Sequence, residues 1–512
     1  MDSQVETASG RLSGRLEEGV HVFRGVPYAS PPVGSRRFRP PVPPEPWAGV
    51  RDATRASASA PQKPGIIAGL LAAGVERSDE DCLSLNVWTP ALDAGRRPVL
   101  VWLHGGSYLT GSGSLPLYEG RRLAQRGDVV VVTLNYRLGA LGWLALPALA
   151  AEEGGALGNL GLLDQIAALE WVRDHIAFFG GDPDWVTLFG ESAGAMSVGA
   201  LLGVPRARGL FGRAILQSGA AANVHDRDDG VCVAETFMKE MGLAPGDVSG
   251  LRAAPVKALI EAQERCGPAL AWTVPGLAFQ PVVDGDVLPR QPLDSLSDPS
   301  WPALPILIGS NRDEWKLYGI GDRRARDLDE AALLRRCQRN LPGEDASGRS
   351  RAERVIETYR RARAGRAGVS PPDLWFAIES DRHFRYPAMR LAEINAMRQA
   401  DTYAYFFTWE SPALGGALGS CHAIEVPFVF GCIEDGLVPK FVGRGPAVSR
   451  LSQEIQDAWI SFARSGRPGH PGPGDWPTYE ATRRATLVLG EQTRIEHAPL
   501  ETERALWADL EG

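Results

Sequence analysis

The chain has 512 residues, 44% of them hydrophobic and 23% charged, with 54 basic and 62 acidic side chains and a formal net charge of −8. This is the balance of an ordinary globular protein, long enough to bury a large core without disulfides or structural metals. No run of like charges interrupts it, which excludes a nucleic-acid arm or an anionic-membrane patch and leaves small molecules as the expected partners.

Size alone suggests about three domains. Six cysteines (Cys82, Cys232, Cys266, Cys337, Cys421 and Cys432) show no CxxC pair and no zinc-like spacing, so reduced thiols are expected. The opening MDSQVETASG lacks a basic n-region and an apolar h-region, and the longest apolar stretch, GIIAGLLAAGV at 65–75, is too short to span a bilayer. A cytoplasmic location is expected.

In chain order, the proline-rich PPVGSRRFRPPVPPEPW at 31–47 reads as an extended surface loop. Four apolar runs without alternation predict buried strands of a parallel sheet: VLVWL at 99–103, VVVVTLNY at 129–136, VTLFG at 186–190 and PILIG at 305–309. Between the second and third, Leu162, Ile166, Leu169, Val172 and Ile176 recur at helical spacing. Strand, helix, strand in this order predicts a crossover joining parallel strands. Helices are also expected after Ser192, through 321–400 as an elaboration on the sheet, and over 450–464, where Leu451, Ile455, Trp459 and Phe462 share a stripe. RARAGRAGVSPP around 361–372 is the one plausible internal linker.

The sharpest local signal is Gly190-Glu191-Ser192-Ala193-Gly194, placed between a strand and a helix-compatible stretch. A GxSxG in that setting forms a nucleophile elbow, in which glycines permit a turn tight enough to lift the serine hydroxyl off the sheet. The helix N-terminus behind it favours a developing negative charge. His104-Gly105-Gly106-Ser107 follows the strand VLVWL, where glycines let backbone N–H groups approach a carbonyl oxygen.

Such a serine needs a base and an acid, in the order Ser, Asp or Glu, His. Beyond Ser192, with an acid-bearing strand end between, stand His383, His422, His470 and His497; His422 lies in a glycine-rich loop, GGALGSCHAIEVPF, and His383 is its rival. Asp313 and Glu314 follow the strand PILIG, and pattern alone does not choose between them. Either would orient the imidazole and stabilise its protonated form.

The chain resembles the type-B carboxylesterases, the group that contains para-nitrobenzyl esterases, vertebrate carboxylesterases and cholinesterases. The resemblance runs through FRGVPYASPPVGSRRFRPP at 23–40, SDEDCLSLNVWTP at 78–90, HGGS at 104–107, NYRLGALGWL at 135–144, GNLGLLDQIAALEWV at 158–172, FGGDPDWVTLFGESAGA at 179–195, QPVVDGDVLP at 280–289 and SCHAIEVPFVFG at 420–431. It implies an α/β-hydrolase fold, a central mostly parallel sheet flanked by helices, formed by the whole of 1–512 as one catalytic domain.

By motif, the resemblance makes Glu314 the acid of a GxNxDEG-like segment (here GSNRDEW), His422 the base, and the backbone of Gly106, Ser107 and Ala193 the oxyanion hole. Glu191, Pro275 and Leu277 become the candidate substrate contacts, with Pro275 and Leu277 standing where cholinesterases carry bulky aromatics. No metal or organic cofactor is implied.

Cys82 matches a cysteine that secreted members bridge to an ACPQ-like segment, which here reads SAPQ at 59–62, so that bridge cannot form. The intervening loop lacks the aromatic platform for choline, and GIIAGLLAAGV is readable either as an apolar flap over the gorge or as a packed helix. The resemblance implies hydrolysis of small to medium, apolar or aryl esters by a monomer or weak homodimer. LTGSGSLPLYEG at 109–120 looks like text in bacterial esterases that cleave aryl carbamates, which makes carbamate or amide hydrolysis the alternative. The family's non-enzymatic adhesion ectodomains lose the serine, which this chain keeps.

Overall fold

Alternate residues of one short strand supply two different cores. In Arg97–Leu103, the side chains of Val99, Val101 and Leu103 enter one apolar cluster, while Leu100 and Trp102 enter another on the opposite face. Both faces are covered, so the strand reads as a continuous apolar run. A computed structural model describes residues 2–65, 69, 77–152, 155–270, 273–345, 348–365, 368–398, 401–469 and 475–511. Most of 65–75, and with it the choice between flap and packed helix, lies outside the described residues, as does His470.

Among the described residues thirteen strands form one sheet. They are β1 (Asp2–Thr7), β2 (Gly10–Glu17), β3 (Val20–Pro27), β4 (Val50–Asp52), β5 (Ser84–Thr89), β6 (Arg97–Leu103), β7 (Val130–Leu134), β8 (Gly181–Glu191), β9 (Arg213–Gln217), β10 (Ile306–Asn311), β11 (Thr402–Phe407), β12 (Ala485–Leu489) and β13 (Arg494–His497). The spatial order is β1-β2-β3-β5-β7-β6-β8-β9-β10-β11-β12-β13, with β4 paired to β2. From β7 through β12 every neighbouring pair is parallel, and the strands outside that block on the main path pair antiparallel.

The four expected strands are β6, β7, β8 and β10. The second stops at Leu134 and not at Tyr136, because the Asn135 side chain turns to loop partners: its Oδ1 accepts from Ser112 Oγ at 3.0 Å and from the Gly113 N–H at 2.9 Å.

Helix α1 (Leu160–His175) links β7 to β8 as the crossover. The sequence shows it as one apolar face, but it is buried on nearly every side, Asp164 and Gln165 included. Asp164 is there for Arg137, in the loop after β7: Nε and Nη2 donate to it at 2.8 and 2.7 Å, and the Arg137 backbone N–H donates at 3.0 Å. Burial pushes the Asp164 carboxyl up, while the guanidinium pulls it down. Helix α2 (Ala193–Leu201) follows β8 directly.

Within the described part of 321–400 lie α3 (Glu330–Asn340), α4 (Arg351–Ala362), α5 (Pro371–Ser380) and α6 (Tyr386–Ala396). A π-helical turn, Asp381–Arg385, joins α5 to α6. Part of this layer shares a separate apolar cluster with Leu506 and Trp507 of the terminal helix Glu501–Glu511. The expected helix at 450–464 is the core of Pro446–Ser465.

A fully buried ion pair loses far more when one partner is removed than it contributes as a pair. Asp164→Ala is therefore expected to cost about 3–5 kcal/mol by stranding a buried guanidinium. Urea unfolding reads this as a lower midpoint; an unchanged midpoint would refute it.

Candidate active site

Strands β6, β8 and β10 each end at a motif, and all three ends lie on the same edge of the parallel block. In an open α/β sheet this carboxyl edge is where ligands bind. Leu103 and Gly190 are register partners on β6 and β8, so the HGGS loop and the serine turn leave the sheet side by side.

Ser192 sits at φ 54° and ψ −127°, in the left-handed half of the map, between β8 and α2. Glycine is required at both flanks. A Cβ at Gly194 would meet the Leu103 carbonyl oxygen at 2.0 Å, and one at Gly190 would lie 2.6 Å from the Gly194 carbonyl carbon. The HGGS loop closes just as tightly, since a Cβ at Gly105 would stand 2.9 Å from the Ser192 Cβ. Gly106 and Ser107 also have positive φ, 112° and 56°. Ala193 opens α2, and first-turn N–H groups have no acceptor within their own helix. Gly106 and Ser107 line the same cavity as Ser192, and Ala193 follows it in the chain.

Ser192 and His422 line one cavity of about 280 Å³ with Gly105, Gly106, Ser107 and Glu191. Leu115, Leu117, Leu317 and Val426 give it an apolar side, and Tyr118 and Tyr318 border it. His422 Nδ1 is 2.6 Å from Glu314 Oε2, while Glu314 Oε1 accepts the Asn311 backbone N–H at 2.7 Å. Glu314 is wholly buried and saturated by these two donors. Its neighbour Asp313 points elsewhere, to Arg312, Lys316 and the Ser420 backbone N–H. Phe384 and Tyr318 pack their rings against the imidazole at 4.7 and 5.4 Å.

His422 Nε2 lies 3.1 Å from Glu191 Oε1, at an angle that leaves neither atom hydrogen-bonded. Burial alone would depress the imidazole, but Glu191 and Glu314 outweigh it and raise His422 to about 9. Burial pushes Glu191 up to about 8, with Glu425 and Glu314 adding to the rise against the pull of His422. Both shifts point the same way: the pair holds its proton more tightly than isolated groups would.

His383, the rival base, belongs to a different neighbourhood. It stacks on Trp315 at 4.4 Å and faces Glu379 at 3.3 Å. Pro275 is exposed, and Leu277 is half-buried with its carbonyl accepting from His225 Nε2 at 2.8 Å; neither lines the cavity around Ser192. His497 is exposed on β13.

Glu425 was not singled out from the sequence. It is buried, accepting from Gln217 Nε2 at 3.1 Å and Asn311 Nδ2 at 2.6 Å. The available signal was its place three residues after His422, just ahead of the helix Val426–Phe430.

The fold and this edge define an α/β-hydrolase. The model of the carboxylesterase family matches residues 1–507, and the chain belongs to that family and is a carboxylic-ester hydrolase. It is 38% identical to the para-nitrobenzyl esterase of Bacillus subtilis (strain 168), covering 98% of this chain and 97% of that one. It is 40% identical to the phenmedipham hydrolase of Pseudarthrobacter oxydans over 95% of both. The crystal structure of the Geobacillus stearothermophilus carboxylesterase EST55 at pH 6.2 superposes with a TM-score of 0.87 at 41% identity, covering 98% of this chain and 99% of that one.

A general base must be neutral, so with His422 in that role activity should fall as pH drops through its pKa. The low-pH limb of kcat/KM is expected above the ordinary imidazole value of about 6.5, with an apparent pKa that belongs to the His422–Glu191 pair. Glu191→Gln removes one carboxylate facing the imidazolium and should move that limb down by about one unit. A limb that stays in place would show that Glu191 does not face the base electrostatically.

Proposed function

We propose that the protein hydrolyses carboxylic esters through an acyl-enzyme on Ser192, with His422 as base and Glu314 as the acid that orients it. One observation carries this reading: a serine held on a left-handed turn shares a cavity with an imidazole whose far nitrogen is 2.6 Å from a buried carboxylate. The Nδ1–H bond to Glu314 leaves Nε2 as the basic nitrogen, turned toward the cavity.

His422 takes the Ser192 proton as Oγ attacks the carbonyl carbon. The N–H groups of Gly106, Ser107 and Ala193 hold the oxyanion, each contributing about 3–4 kcal/mol to the barrier reduction. The imidazolium then protonates the departing alcohol. Water, activated by the same base, releases the acid and regenerates the serine. The whole of 1–512 acts as one catalytic unit, because the acid and base that serve Ser192 come from distant parts of the chain.

The apolar side of the cavity favours small to medium, apolar or aryl esters. The free thiols of the six cysteines agree with a reducing, cytoplasmic setting.

Ser192→Ala should lower kcat for para-nitrophenyl butyrate by at least about 10⁴-fold with the fold intact by circular dichroism. Near-normal turnover would overturn the assignment of the nucleophile. Leu277→Phe tests the acyl pocket: selective loss of long or branched acyl groups places Leu277 in it, and an unchanged acyl-length profile removes it.

The relative that hydrolyses phenmedipham and the text at 109–120 favour a second reading, aryl carbamate hydrolysis by the same residues. Comparison of kcat/KM for a matched aryl ester and aryl carbamate decides between them; the carbamate reading requires the second to equal or exceed the first.

A further inference from the structure

Another cavity, of about 410 Å³, is lined by residues that neighbour those of the active site in two segments. Trp315 lines it, while Leu317 and Tyr318, two and three residues on, line the cavity that holds Ser192. His383 lines it too, and the next residue, Phe384, packs against His422 at 4.7 Å. The second segment is the π-helical turn Asp381–Arg385. Such turns within helices are frequent at functional sites.

The lining is cationic in a chain of net charge −8. Arg324, Arg336, Arg339 and Arg382 face it against only two carboxylates, Asp322 and Glu379. Glu379 is already saturated: Arg382 Nε and Nη2 donate to it at 3.1 and 2.8 Å, Asn340 Nδ2 reaches both its oxygens at 3.2 Å, and His383 stands at 3.3 Å. Asp322 takes Arg336 Nη1 at 3.0 Å. Two indoles, Trp315 and Trp375, complete the wall, the first stacked on His383 and the second beneath the Arg336 guanidinium at 5.4 Å.

We propose that this cavity is a binding site for a planar aromatic carboxylate, and that its occupation alters turnover at Ser192. Guanidinium forks match a carboxylate with two parallel hydrogen bonds, and the indole walls accept the ring. The volume falls in the range of small-molecule pockets, far short of a macromolecular groove. Trp315 is bonded in sequence to Glu314, and its backbone N–H donates to Ser380 Oγ at 3.0 Å. A ligand pressing on Trp315 and His383 therefore acts on the segment that carries Glu314 and on the turn that carries Phe384.

The test uses the full-length enzyme, para-nitrophenyl acetate as substrate and sodium benzoate as probe, with benzyl alcohol as an uncharged ring control. Benzoate is expected to bind by calorimetry and to change kcat saturably without competing with substrate, while benzyl alcohol does neither. Arg336→Gln combined with Arg339→Gln should raise the half-saturating benzoate concentration about tenfold or more, with kcat/KM in its absence close to the parent value. Arg324→Gln, at an exposed position, should weaken benzoate by a smaller factor and checks that the effect is not misfolding. Benzoate acting purely as a competitor with the same potency in every variant would place it at Ser192 and overturn the proposal. Absence of binding heat, or equal action by benzyl alcohol, would overturn it as well.

Discussion

Everything at the active edge depends on how closely backbones approach around Ser192. The serine adopts φ 54°, a conformation that costs an L-residue energy and persists only where its surroundings impose it. The surroundings here are backbone. A Cβ at Gly194 would overlap the end of β6, one at Gly219 would stand 2.6 Å from the Ser192 carbonyl oxygen, and one at Gly105 would crowd the serine from the far side. These glycines come from three different segments, two loops and the first turn of α2. Their shared function is to let β6, β8 and the loop after β9 converge on one turn, so that the hydroxyl and the first N–H of α2 have one available placement.

Convergence of this kind leaves little room for water, and burial is severe. Glu191, Glu314 and Glu425 are each at most 3% exposed, and all three act electrostatically on one imidazole. Buried carboxylates are tolerated only when hydrogen-bonded or neutralised. Asn311 meets much of that requirement at a single point, its backbone N–H serving Glu314 and its side chain serving Glu425. Gln217 supplies the other Glu425 oxygen and is itself held by Trp459 at 3.0 Å. Glu191 lacks such donors, which is why burial raises it toward neutrality and the proton equilibrium of the site falls on it and His422 together.

Much of this was legible in the sequence, for physical reasons. Strands covered on both faces read as unbroken apolar runs, so β6, β7, β8 and β10 were found with their helix between. Strands β9 and β11 were not, because RAILQ is short and polar at both ends, and TYAYFF has only six residues with a threonine and two tyrosine hydroxyls among them. The serine turn could be read because its glycines are obligatory. The choice between His383 and His422 could not be made from residue pattern, since both have an acidic neighbour in space. Glu379 serves the first and Glu314 the second, and only the sheet places Glu314 beside the edge that carries Ser192. Glu425 was in view three residues beyond His422, yet a glutamate just ahead of a helix carries no mark of burial.

The segment after β10 shows how short the distance is between a fold and its chemistry. Over eight residues, Asn311 clamps two carboxylates, Glu314 fixes the imidazole, Trp315 faces the arginine-lined cavity, and Leu317 and Tyr318 face the serine. Trp315 stands where the family pattern quoted above ends in glycine. An indole there cannot be accommodated by the turn alone; it needs a surface to cover it, which His383 provides by stacking at 4.4 Å. His383 in turn sits on the π-helical turn whose next residue, Phe384, supports His422. One substitution relative to the pattern thus links the loop that carries Glu314 to the packing of His422 through a run of ring contacts, Trp315 to His383 to Phe384 to His422.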